Sequence, residues 1–142
     1  MNEAKTMVLT AAAVAGGLIG QFFGGWSAAL GTLMFCMAAD YITGLLVAGV
    51  FHASDKTPGG GLESRAGWKG LCRKGATLLI VLVASRVDLA LGTAFVRDAV
   101  IVGYIANEVI SIIENAGLMG VPVPPALNEA IEVLQGKHNG EE

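Results

Sequence analysis

The ionisable side chains that could do chemistry in this sequence are few, and they interrupt long apolar stretches. Asp40 lies close to the centre of the apolar run from Ser27 to Phe51. A carboxylate at the centre of a bilayer costs about 2.5–3.5 kcal/mol on insertion scales, so it needs a partner or water. The sequence leaves two interpretations open for Asp40, a structural hydrogen bond inside a helix bundle and a residue that lines the lumen of an oligomer.

A second polar group follows helical spacing in the apolar stretch from Asp98 to Ile113. Its members recur every three or four residues and therefore share one helix face; they are Asn107, Glu108, Ser111 and Glu114. Such a stripe faces protein or water rather than lipid. It indicates either hydrogen bonding between helices or part of a wet lining formed when protomers assemble.

Arg86 and Asp88 are two residues apart, so on a helix they point to different faces and cannot satisfy each other well. We expect both side chains in the headgroup layer at the far end of a membrane helix. The alternative is that Arg86 pairs with Asp40 or Glu108 inside the bundle.

Catalytic and nucleic-acid-binding patterns are missing from the sequence. The two histidines, His52 and His138, have no nearby nucleophile or metal-ligand cluster. The glycine run at 59–61 lacks the Lys-Ser or Lys-Thr ending of a phosphate loop. The net charge is −3 and no basic block occurs. We therefore expect no enzyme, metal, cofactor or nucleic-acid partner.

Composition places these polar residues in a membrane protein. Of the 142 residues 54% are hydrophobic and only 15% are charged. This hydrophobic share exceeds what one soluble core can bury, and the excess apolar surface needs lipid. We predict an all-α, polytopic domain over 1–117 with four transmembrane helices at about 7–23, 27–51, 71–90 and 98–113; three are possible if the first does not insert. We expect Gly117 to end the fourth helix in a left-handed cap. Residues 118–142 are predicted as a cytoplasmic tail with a short amphipathic helix.

Two further patterns concern helix packing and orientation. A small-residue stripe consists of Ala12, Gly16, Gly20 and Gly24; it predicts close helix packing, either within the monomer or between copies. A basic collar that can reach the headgroups consists of Arg65, Lys69, Arg73 and Lys74. Because Lys and Arg concentrate between the second and third spans, we predict that loop 52–70 and both termini are cytoplasmic.

Three patches of the sequence, in this order, resemble the holins of phage lysis and clostridial toxin secretion. The first is Asp40-Tyr41-Ile42-Thr43-Gly44, and the second is Leu62-Glu63-Ser64-Arg65 leading to Gly70-Leu71-Cys72-Arg73-Lys74. The third and most specific is Ile105-Ala106-Asn107-Glu108-Val109-Ile110-Ser111-Ile112-Ile113-Glu114-Asn115, followed by Gly117, Gly120, Pro122 and Pro124. The resemblance covers roughly 40–134 and leaves the first 35 residues unmatched.

This resemblance implies a protein of the bacterial inner membrane that associates with further copies and opens lesions for a cell-wall hydrolase or a toxin. It implies a functional link to an endolysin that does not require direct contact, and it allows an antiholin as a further partner. It gives importance to Asp40, Asn107, Glu108, Glu114 and Asn115, none of them catalytic. The rival functions are an antiholin or regulatory subunit, a small ion channel or transporter component, and a membrane scaffold.

Overall fold

The computed structural model describes residues 2–136, and within them the regular structure consists of five helices and no strand. The helices are α1 Glu3–Phe22, α2 Ala28–Gly49, α3 Ser64–Leu91, α4 Val96–Leu118 and α5 Pro125–Leu134. The all-α prediction is confirmed. The short C-terminal helix is observed as α5, and the rest of the predicted tail, 137–142, lies outside the described residues.

Two of these helices, α1 and α2, are long and apolar enough to cross a membrane. Helices α3 and α4, with 28 and 23 residues, are about 42 and 34 Å long at 1.5 Å per residue. Both are long enough to span, but charged side chains along them lower their apolar character. Two of the four expected spans are therefore supported by length and composition, and the other two stay a prediction.

The bounds of α3 and α4 differ from the expected ones. The whole basic collar and the expected third span form one continuous helix from Ser64 to Leu91. The fourth helix continues past Gly117, because the first residue that forbids helix, Pro122, comes five positions later. Gly120 takes the left-handed conformation instead, with φ 75°, and the Val121 amide donates to the Ala116 carbonyl at 2.8 Å.

Helices α2, α3 and α4 form a bundle in which α4 packs against both of the others. The core is apolar and consists of Leu30, Leu33 and Met37 of α2 with Val81 of α3 and Ile101 of α4. Hydrogen bonds join the start of α4 to the turn before α2, and the end of α4 to the second half of α2. Thus α2 and α4 run parallel and α3 runs antiparallel to both. We call the end of the bundle that carries segment 50–63 the loop end.

Helix α1 stands largely apart from the bundle. Its residues from Glu3 to Ile19 are exposed, except for Gly16, which is half-buried. A turn with positive φ at Gly24 and Gly25, 79° and 98°, leads into α2. The Trp26 indole N–H donates to the Gly16 carbonyl at 3.1 Å. Its ring lies over Gly20, where a β-carbon would overlap it.

The small-residue stripe therefore divides into occupied and open positions. Trp26 of the same chain covers Gly20. A β-carbon on Gly24 would lie 2.7 Å from the Ser85 hydroxyl of α3. Gly16 has open space where a side chain would point, and Ala12 is exposed.

Candidate functional site

Three charged side chains from three helices meet inside the bundle. Lys74 Nζ of α3 lies 2.7 Å from Asp40 Oδ2 of α2 and 2.6 Å from Glu108 Oε2 of α4. Their side chains keep only 12–14% of their surface exposed. We call Asp40, Lys74 and Glu108 the charged triad; with two carboxylates and one ammonium it has a formal charge of −1.

The positions of the triad members place them deep along the helices. Asp40 lies nine residues before the end of α2 and Lys74 ten residues after the start of α3. At 1.5 Å per residue both are about 14–15 Å from the loop end. A charge that is largely removed from water inside a helix bundle requires a partner, and the neighbouring helices supply the partners.

A neutral side chain, Asn115 near the end of α4, completes the polar contacts of Asp40. Its amide Nδ2 donates to Asp40 Oδ1 at 3.2 Å and to the Thr43 hydroxyl at 2.9 Å. The Thr43 hydroxyl in turn donates to the Asp40 carbonyl at 3.0 Å. Asn115 is almost fully buried, and Gly44 leaves the space beside its amide. These contacts fix the Asp40 carboxylate between α3 and α4.

The polar stripe of α4 divides between two environments. Glu108, Ser111 and Asn115 face the interior beside Asp40, and Asn107 lies at the edge of the same region. Glu114 is exposed on the outside of α4. The sequence predicted one stripe, and the structure turns part of it inward and leaves Glu114 outside.

The basic collar also divides. Arg65, Lys69 and Arg73 recur every four residues and are exposed. Lys74 follows directly after Arg73 and therefore points about 100° away around the helix, toward α2 and α4. Lys74 is thus a member of the charged triad rather than of an interfacial collar.

Arg86 and Asp88 have separate environments at the far end of α3. Arg86 is exposed and lies twelve residues, about 18 Å, beyond Lys74. The alternative pairing of Arg86 with Asp40 or Glu108 does not form, because Lys74 takes that place. Asp88 is buried and accepts bonds from the Thr93 hydroxyl at 2.6 Å and from the amides of Val96 and Arg97 at 3.0 and 2.8 Å. It therefore caps the start of α4, where backbone amides otherwise lack acceptors.

Arg97 makes a tertiary contact that the sequence did not predict. Its Nη1 donates to the carbonyls of Phe23 and Gly25 at 2.5 and 2.8 Å. This side chain joins the start of α4 to the turn between α1 and α2, seventy residues earlier in the chain. The sequence carries no signal for this contact, since an Arg after a short turn is equally typical of a solvated position.

A cleft of about 750 Å³ opens between α2 and α3 next to the charged triad. Its floor is formed by α4, and its mouth lies at the loop end near Ser54 and Lys56. The cleft exists because α2 and α3 touch each other less than either touches α4. Tyr41 crosses part of the gap toward Gly67 and Gly70. A β-carbon on Gly67 would lie 3.5 Å from its hydroxyl, and one on Gly70 would lie 3.8 Å from its ring.

The arrangement offers paired charges, polar contacts and a cleft. In residues 2–136 no group of three or more potential metal ligands occurs. Cys36 and Cys72 are both free thiols. Charged groups paired between helices, together with two helices apolar enough to span, are typical of a small α-helical membrane protein.

Comparison with known proteins narrows this class. A model of the bacteriophage holin family matches residues 17–136, and the chain belongs to that family. A probable holin of Bacillus phage phi105 is 32% identical over 70% of this chain and 69% of its own length. Uncharacterised proteins of Listeria innocua and Clostridium perfringens are 41% and 36% identical, over 89% and 86% of this chain and 86% and 88% of their own lengths. No solved structure matches. The resemblance to holins predicted from the sequence is confirmed.

Proposed function

We propose that the protein is a holin that assembles in the bacterial inner membrane and forms lesions for a cell-wall hydrolase or a toxin. Membership of the holin family and the likeness to a probable phage holin support this role. The structural observation that carries it is the charged triad, which holds three ionisable side chains inside a bundle of helices long enough to cross a bilayer.

A single copy pairs its three innermost charged groups with one another, so it can accumulate without a leak. Asp40, Lys74 and Glu108 contact one another, while the outer surfaces of α1, α2 and α3 are rich in large apolar side chains such as Val14, Phe35 and Leu79. Lipid can cover such a surface at little cost. In this proposal α3 and α4 also cross the membrane, with their charges turned to the bundle interior or toward the membrane surfaces.

Association between copies then exposes polar groups to a shared aqueous interior. Asn107 and Glu114 are seven residues apart, lie on the same side of α4 and are both exposed. Polar groups at membrane depth seek protein or water, which favours lateral contact through this side. Because association is second order or higher in the protein, the change to a leaking state can be abrupt.

The orientation of the bundle in the membrane is inferred from the positions of its basic residues. The exposed members of the collar, Arg65, Lys69 and Arg73, lie at the start of α3 beside the loop end. An excess of Lys and Arg is typical of the cytoplasmic side. We propose that the loop end is cytoplasmic, together with both termini.

Inducible expression in bacteria tests the function. Membrane potential and culture density are recorded with and without a co-expressed wall hydrolase that lacks its own export signal. We expect a sudden loss of potential after a delay, and lysis only when the hydrolase is present. Steady leakage in proportion to the amount of protein, without a threshold, contradicts the proposal.

Asp40 gives this experiment a matched pair of variants. Asp40→Ala removes a carboxylate that contacts Lys74, whereas Asp55→Ala removes an exposed carboxylate in the neighbouring loop. We expect the first variant to insert normally and to change the time at which permeabilisation begins, and the second to leave that time unchanged. Equal timing in both variants rejects a functional role for Asp40.

The small-residue stripe gives a test of self-association. Gly16 belongs to the stripe and Gly17 does not, and both have open space around the position of an added side chain. Neither Gly16→Leu nor Gly17→Leu should therefore disturb the monomer. We expect Gly16→Leu alone to reduce cross-linked oligomers in membranes. Unchanged oligomers exclude the stripe as an interface between copies.

A small ion channel or transporter component is a second candidate, because a cleft leads to Asp40. Selective and reversible ion flux without cell death favours that function. An antiholin shares the helices but inhibits lesion formation, so its expression alone leaves the membrane potential intact.

A further inference from the structure

The cleft between α2 and α3 has an unusual composition for a surface at membrane depth. Its base carries the charged triad, and neutral polar side chains, Thr77 of α3 and Ser111 of α4, lie beside it. The triad side chains retain 12–14% exposure. The charges are thus open to the cleft and not sealed within the apolar core.

The cleft also connects the charged triad at its base with the loop end of the bundle. Its lining begins at Ser54 and Asp55 of the loop and at Ser64, and it continues to Lys74. Ten residues of helix separate Ser64 from Lys74, which corresponds to about 15 Å. The volume of about 750 Å³ is many times the share of one water molecule, about 30 Å³.

We propose that this cleft is a water-filled vestibule that attracts cations and runs from the loop end to the charged triad. The lining contains four carboxylates against three basic side chains, and two of the carboxylates lie at the base. Charged and polar groups at the base hold water more favourably than acyl chains. Because the walls have low dielectric constant, the excess negative charge concentrates small cations. The inference rests on membrane insertion, and lesion formation is not required for it.

Cysteine accessibility tests the vestibule on the full chain. In a background with Cys36→Ala and Cys72→Ser, cysteine replaces Thr77 in the cleft or Leu79 on the outer surface of α3. Asp55→Cys marks the loop end. The proteins are reconstituted in phosphatidylethanolamine and phosphatidylglycerol vesicles that retain a trapped dye. Membrane-impermeant thiosulfonates, one cationic and one anionic, are added from outside before and after freeze–thaw access to the lumen.

We expect Thr77→Cys to react from the same side as Asp55→Cys. We expect the ratio of its cationic to anionic reaction rates to exceed, by about tenfold or more, the ratio that a small free thiol gives in the same buffer. We expect Leu79→Cys to stay unreactive from both sides, since lipid covers it. Ser111→Cys repeats the test on α4 if the Thr77 variant does not insert.

Three results overturn the proposal. The first is unreactive Thr77→Cys and Ser111→Cys when Asp55→Cys reacts, which indicates lipid in the cleft. The second is equal reaction of Leu79→Cys, and the third is a preference for the cationic reagent no greater than that of the free thiol. A permeant maleimide applied in detergent measures total thiol, so that a missing reaction is not confused with missing protein. Because the vesicles retain their dye, failure here leaves the proposed lytic function untouched.

Discussion

Replacement of Lys74 by Met gives the sharpest test of the charged triad. The ammonium lies 2.7 Å from one carboxylate and 2.6 Å from the other, and its removal leaves two carboxylates facing each other inside the bundle. Loss of one partner from a buried ion pair costs about 3–5 kcal/mol, because the remaining charge stays uncompensated. Because the triad side chains keep 12–14% exposure and open to the cleft, we expect Lys74→Met to lower the free energy of unfolding by less than this full cost, about 1–3 kcal/mol.

Neutralising the whole triad separates two effects of Lys74→Met: the charge left without a partner, and the loss of native side-chain contacts. The triple variant Lys74→Met, Asp40→Asn, Glu108→Gln carries no charge at this place. Replacing an entire buried ion pair by neutral groups is often close to neutral for stability. We therefore expect the triple variant to be more stable than Lys74→Met alone, although it lacks more of the native side chains.

The assay is unfolding in mixed micelles with increasing sodium dodecyl sulfate, followed by circular dichroism. Lys69→Met is the matched control, since Lys69 lies on the same helix but is exposed, and surface changes are usually within about 0.5 kcal/mol. Equal small losses in Lys74→Met and Lys69→Met refute the argument. A triple variant less stable than the single one refutes the charge explanation in particular.

Two further predictions concern the opposite end of the bundle. Asp88→Ala should lower the unfolding free energy by about 1–2 kcal/mol, as for loss of a helix cap, whereas Asp98→Ala at an exposed position should change little in the same titration. Arg97→Met should speed amide hydrogen exchange in segment 20–27, because the carbonyls of Phe23 and Gly25 lose their bonds from Arg97. Arg86→Met, at an exposed site, should leave exchange in that segment unchanged. Similar exchange in both variants argues against the contact.

The sequence predicts a helix well where the length of an apolar stretch sets its extent. It misplaces the end of the fourth helix, because glycine permits a left-handed cap without requiring one and the obligatory stop is Pro122. It begins the third span at about residue 71, although no residue between Ser64 and Leu91 interrupts a helix. Local signals of this kind set the probable end of a helix, and tertiary packing fixes the actual residue.

The partners of the polar residues are harder to predict than the residues themselves. Asp40 and Glu108 stand out in sequence because each is a charge within an apolar stretch. Lys74 does not, because it directly follows Arg73 and resembles one more interfacial cation. The distinguishing feature is its angular offset from the row of Arg65, Lys69 and Arg73, which has meaning only when the neighbouring helices are known. Contacts such as that of Arg97 with Phe23 depend on how the turns meet in space.

The triad restricts how an assembly of this chain could open. If α2 separates from α4 in the proposed assembly, Lys74 of α3 keeps at most one of its two partners, and at least one carboxylate per copy faces the lumen unpaired. If the bundle opens outward along the cleft, the triad stays intact and each copy contributes one net negative charge. The two routes differ for Lys74→Met. Along the first, removal of the ammonium should bring permeabilisation forward, because a contact that holds the closed bundle is already lost. Along the second, timing should stay the same while the lumen becomes more selective for cations.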